Sequence, residues 1–252
     1  MGKSGILRSL CFTLCLTAAT ATAGAETRKE TALSYVELGN ELTRNNDFDR
    51  AIGAYNIALQ FEPTLALAYF NRAYAEQARG KLLEAVADYN RTLELVPECA
   101  EAYANRAYVL ARLKKYESAV SDWTSALELN PNLKTVFYNR GNLLLKQGNL
   151  EGALADFNQA IARDPKYVVA YNNRAIAKVG KEDIEGAIAD FTRAIKLDGR
   201  YSEAYVNRGL ARLQQGNTLE AEKDFARSLA LNPSLKTVID QRIVQISQIG
   251  RK

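Results

Sequence analysis

The sequence predicts an all-α protein: one helix hairpin repeated six times and closed by a further helix. Three observations carry this. Asn-Arg-Ala or Asn-Arg-Gly starts at Asn71, Asn105, Asn139, Asn173 and Asn207, always 34 residues apart. The chain's five prolines, Pro63, Pro97, Pro131, Pro165 and Pro233, all fall at one position of the same period. Within each period, large and small apolar residues recur three and four apart, the spacing of one helix face. A fixed period of this length is the mark of a duplicated supersecondary unit.

Residues 1–25 read as a secretory signal peptide. Lys3 and Arg8 form a basic start, Leu10 to Leu16 an apolar middle, and Ala21-Thr22-Ala23 and Ala23-Gly24-Ala25 two small-x-small cleavage sites. The first acidic residue is Glu26. An uncleaved anchor or a transit peptide is the competing reading. A short linker is expected over 26–31.

Six contiguous units follow: 32–65, 66–99, 100–133, 134–167, 168–201 and 202–235. The first helix of each has an aromatic at its fourth position, from Tyr35 to Tyr205, and Gly or Ala at its eighth, from Gly39 to Gly209. A small residue there admits a second helix closely. Gly80, Gly148, Gly216 and Asn45-Asn46-Asp47 mark turns. The second helix has Ala at the twentieth position and an aromatic at the twenty-fourth: Tyr55, Tyr89, Trp123, Phe157, Phe191 and Phe225. Proline at the thirty-second position then biases its predecessor out of the helical region and ends that helix; Gly199 stands in for it in the fifth unit. Over 236–252, Val238, Ile239, Ile243, Val244, Ile246 and Ile249 make an amphipathic helix that caps the stack, as the end of any repeat array requires.

In spacing, small positions, aromatics and prolines, residues 32–235 resemble the tetratricopeptide repeat family. The resemblance implies antiparallel helix pairs stacked into a right-handed superhelical solenoid, with the first helices lining a concave groove. Departures are Arg at the seventh position of five units and a variable eleventh: Leu42, Glu76, Leu110, Leu144, Lys178 and Arg212.

Units two to six pair Arg at the seventh position with Asp at the twenty-third: Arg72 with Asp88, Arg106 with Asp122, Arg140 with Asp156, Arg174 with Asp190 and Arg208 with Asp224. Unit one has Leu38 and Ala54 instead, lacking both together. We read these as structural salt bridges across each hairpin, in preference to arginines that face a ligand. For the asparagines the resemblance implies a groove-facing ladder, Asn71, Asn105, Asn139, Asn173 and Asn207, flanked by Tyr74, Tyr108, Tyr138, Asn142 and Asn172. An amide both donates and accepts, so it can pair with peptide backbone of any sequence. A solvated face, or amides bonded within the scaffold, is the alternative. The family's clamp for acidic chaperone tails is not expected, because Val36, Glu101, Tyr138 and Glu203 occupy its basic positions.

Other classes are disfavoured by composition. There is no histidine, removing the usual general base and commonest metal ligand. Cys99 is the one thiol after the leader. No phosphate loop, calcium loop or basic stripe is present, and the net charge is only +4. The expectation is an exported, non-enzymatic scaffold without cofactor or metal. It would bind a protein or peptide partner, not nucleic acid or a small substrate, at the periphery of a membrane complex. The periplasm is the expected compartment, with secretion or the thylakoid lumen as alternatives. An adaptor using its convex face or edges is the competing function.

Overall fold

The structure, a computed structural model, describes residues 23–249, with side chains from 26 to 246. Most of the expected leader lies outside the described residues. The described chain is all helical and falls into two compact units, divided after Asn132.

The first unit holds α1 (Ala23–Arg44), α2 (Phe48–Phe61), α3 (Ala66–Ala78), α4 (Leu82–Leu95), α5 (Ala100–Arg112) and α6 (Tyr116–Leu129). The second holds α7 (Lys134–Lys146), α8 (Leu150–Arg163), α9 (Val168–Gly180), α10 (Ile184–Leu197), α11 (Ser202–Gln214), α12 (Thr218–Leu231) and, after a single 3-10 turn over Pro233–Leu235, α13 (Lys236–Ile249). Each odd-numbered helix up to α11 packs against the one that follows, so each unit contains three hairpins.

The hairpin turns share one device. The fifteenth residue of every repeat is left-handed: Asn46, Gly80, Lys114, Gly148, Glu182 and Gly216 have φ between 59° and 84°. The second helix then begins with side-chain caps at Asp47, Asn149, Asp183 and Asn217. Ala51, Ala85, Ala119, Ala153, Ala187 and Ala221 are buried at the interhelix contact, as are all six core aromatics. Trp123 is among them at 2% exposed. The eighth position is tight: a Cβ on Gly39 would come within 2.4 Å of the Tyr55 ring.

Two expectations change. The linker expected over 26–31 is helical and belongs to α1. Glu26–Thr31 contains no helix breaker, and the Thr31 and Ser34 hydroxyls donate back to the carbonyls of Thr27 and Thr31. The terminal helix α13 starts 34 residues after α11, with Arg242 again at the seventh position. It is therefore the first helix of a seventh repeat in register, but not in pose. Ala68, Ala102, Ala170 and Ala204, at the third position of earlier repeats, are buried, whereas Val238 is 40% exposed. With no second helix beside it among the described residues, α13 turns Ile239, Ile243 and Ile246 onto the sixth hairpin, against Val206, Leu210 and Phe225. It caps that hairpin with the stripe a regular repeat reserves for its own partner helix.

Candidate functional site

Within each unit, first helices of successive hairpins approach one another: α1 touches α3 and α3 touches α5, while α7 touches α9 and α9 touches α11. Second helices make no comparable contact. The first-helix side is therefore the inner side of each unit, and the asparagines and tyrosines on it form the candidate site.

The arginines are occupied before any ligand could reach them. Arg72 Nε and Nη2 donate to Asp88 at 2.6 and 2.7 Å, Arg106 to Asp122 at 2.7 and 2.7 Å, and Arg140 to Asp156 at 2.8 and 2.8 Å. Arg174–Asp190 and Arg208–Asp224 have the same two-pronged geometry at 2.6–2.9 Å. The aspartates are nearly buried, so a bare carboxylate would be costly there. Hydrogen bonding to Asp88 and Asp122 holds the Arg72 and Arg106 guanidiniums above their ordinary pKa.

Sequence reasoning missed the rest of this construction. The third arm, Nη1, reaches the preceding hairpin: Arg72 donates to Asn56 Oδ1 at 2.6 Å, Arg106 to Asn90 at 2.7 Å, Arg174 to Asn158 at 2.8 Å and Arg208 to the Thr192 hydroxyl at 3.1 Å. The aromatic three residues before each arginine also stacks on it, with 5.3–5.9 Å from guanidinium carbon to ring centre. One guanidinium thus joins two helices of its own hairpin to the second helix before it. The signal was Asn or Thr at the twenty-fifth position of units one to five.

The asparagines divide. Asn71 is 1% exposed; its Nδ2 donates to Asn40 Oδ1 at 2.8 Å, an acceptor it shares with the Tyr55 hydroxyl, and its own Oδ1 is buried without a partner. In the second unit the amides form a relay. Arg242 donates to Asn207 Oδ1 at 3.3 Å, Asn207 to Asn172 at 3.0 Å, Asn172 to Asn173 at 2.9 Å, and Asn173 to Asn142 at 2.6 Å and to the Tyr138 hydroxyl at 3.3 Å. These residues link successive first helices, which is the within-scaffold alternative. Asn105 and Asn139 differ. Asn105 is half-buried and hydrogen-bonded to the Tyr89 hydroxyl on α4, not to an asparagine. Asn139 is half-buried and has no side-chain hydrogen bond among the described residues.

Aromatics surround both. In the first unit Tyr74 is half-buried and Tyr108, one turn beyond Asn105, is 43% exposed. In the second, Tyr138 lies 5.1 Å from the Tyr167 ring and 6.1 Å from Phe157. Burial pushes Tyr167 and Tyr201 up to about 12, with Tyr138 adding to both. Lys134 Nζ stands 5.4 Å over the Tyr167 ring and pairs with Asp164, which lowers that carboxyl's pKa. Among the described residues no cluster of three or more acidic or cysteine side chains could hold a metal ion, and no helix is long and apolar enough to cross a membrane.

Known proteins carry the same repeat. A tetratricopeptide repeat family model matches residues 100–133 and 135–167, and a second one matches 172–235, together more than half the chain. The chain belongs to the tetratricopeptide repeat family. No curated protein matches it significantly. Among solved structures, this tetratricopeptide repeat chain is similar to YrrB, described as a TPR protein with an unusual peptide-binding site, at 26% identity over 72% of this chain and 93% of YrrB, with a TM-score of 0.61. It is also similar to residues 41 to the end of MamA from Desulfovibrio magneticus RS-1, at 25% identity over 67% and 96%, TM-score 0.64. Pseudomonas aeruginosa PilF shares the fold at 19% identity over 82% and 94%, TM-score 0.71.

Proposed function

We propose that this chain is an exported, non-catalytic protein-interaction scaffold whose inner faces hold an extended segment of a partner protein. One observation carries the reading. On the inner side of the first unit, an exposed Tyr108 stands one turn from Asn105, an amide hydrogen-bonded to the Tyr89 hydroxyl and half-buried, with donor and acceptor capacity beyond that one bond. The second unit offers Asn139 beside Tyr138. Amides that can donate and accept suit peptide backbone, and partly exposed tyrosines suit its side chains. The peptide-binding site described for YrrB supports the same class of ligand. The leader supports export, with the periplasm as destination and assembly of an envelope complex as the role.

A second reading has its own observation. An open cleft of about 580 Å³ lies on the first unit between α4, α5 and α6, lined by Val86, Asn90, Arg106, Leu110, Lys115 and Ser121. An adaptor would present this surface instead. The test uses peptides selected by display against the chain from residue 26 onward. Tyr108→Ala should weaken a selected peptide by about 10- to 30-fold, the loss of an interface anchor, and Asn105→Ala or Asn139→Ala should weaken it less. Affinity unchanged in all three, but lost in Val86→Ser, would transfer the function to the cleft.

A further inference from the structure

One carboxylate of the first unit has no counter-charge of its own. Glu76, at the eleventh position of its repeat on α3, is 9% exposed, and its Oε2 is buried with no hydrogen-bond partner. The charged and titratable groups facing it are Arg72 on α3, Asp88, Glu84 and Tyr89 on α4, and Lys81 in the turn between them. Arg72 is already committed to Asp88 and Asn56, and Lys81 is exposed.

The second unit shows what this position suits. Lys178 Nζ lies 2.8 Å from Asp190 Oδ2, and Arg212 Nη1 lies 2.7 Å from Asp224 Oδ2, each adding a cation to the buried aspartate of its hairpin. Three other repeats place Leu42, Leu110 and Leu144 there. Glu76 alone of the six sets a second carboxylate against that aspartate.

We propose that the second hairpin, α3–α4, is a proton-responsive element, tight when Glu76 is neutral and loosened when Glu76 ionises. Burial first, then the charge of Asp88, pushes the Glu76 carboxyl from 4.5 up to about 7. The folded value lies above the unfolded one. The stabilisation is therefore fully present below about 4.5 and is lost as pH rises through about 7. Since α3 also carries Tyr74, the inner face of the first unit responds with the hairpin. The proposal does not depend on that face binding a peptide.

Hydrogen exchange on the chain from residue 26 onward, at pH 5.5 and pH 8, tests this, with protection factors corrected for intrinsic rates. Wild-type α3–α4 amides should lose on the order of 3- to 30-fold more protection across this range than those of Glu76→Gln, the upper figure being the linkage limit between these two pH values and the lower one allowing for a site near the surface. Glu76→Lys, which supplies the cation that Lys178 supplies in its own repeat, should remove the pH dependence. Equal pH profiles in wild type and Glu76→Gln would overturn the proposal, as would a loss spread evenly over all hairpins. If Glu76→Lys fails to fold, the comparison with Glu76→Gln still decides.

Discussion

At the residue scale the fold is held by a guanidinium used three ways: forked onto an aspartate, extended to the preceding hairpin, and stacked on an aromatic. Truncating one partner leaves the other buried and bare. Arg140→Ala and Asp156→Ala should each cost roughly 3–5 kcal/mol. The double variant should cost clearly less than their sum, because the second truncation removes a group already uncompensated. Additive losses in denaturant unfolding would remove the pair from the account. The pairing itself was legible, since Arg and Asp are present together in five repeats and absent together in the first. The third arm and the stacked ring were not, because they depend on where a neighbouring hairpin sits. The asparagines were half legible. An asparagine at the sixth position is bonded across helices where the preceding repeat has asparagine at its ninth, as with Asn40 below Asn71 and Asn142 below Asn173. Asn105 follows a repeat with Tyr74 there, and Asn139 one with Tyr108. That register rule separates Asn71 and Asn173 from Asn105 and Asn139; Asn207 follows Ile176 and is bonded instead to Asn172, at the fifth position of the preceding repeat.

At the element scale, small residues and turn geometry set how closely two helices pair. Gly39→Ala would press a methyl against the Tyr55 ring, which is pinned because its hydroxyl meets Asn40 and Thr43. A net loss of about 1–3 kcal/mol is expected from thermal or urea unfolding. Gly141→Ala, with its nearest ring atom at 3.0 Å, should be close to neutral, since the gain in helix propensity offsets the contact. The turns give the opposite sign. Lys114 and Glu182 take left-handed backbone where three other repeats place glycine. Lys114→Gly and Glu182→Gly should each stabilise by about 1 kcal/mol, measured as a rise in the unfolding midpoint, and Gly148→Ala should destabilise by a similar amount. Neither turn has glycine at its left-handed position to announce it, although the period alone locates both. The pose of α13 was legible only in part: its apolar stripe marked a cap, but not that the stripe would meet the sixth hairpin.

At the scale of the whole molecule, six hairpins fall into two units of three, and each carries its own inner face. Repetition made the architecture readable, because the same pattern was tested against itself in every period. Binding was less readable, for the same reason: five copies of Asn-Arg look equivalent until neighbours decide which amides are already bonded. The division into two units has no counterpart in the periodic pattern, which runs unbroken through Asn132. The central claim is that the first-helix side meets the partner. Site-specific photo-crosslinking tests it most directly, with a benzophenone side chain replacing Tyr108 on the inner face or Leu83 on α4, which is 67% exposed. In the native compartment, position 108 should yield a discrete crosslinked partner and position 83 should not. A partner captured from position 83 and not from position 108 would contradict the account.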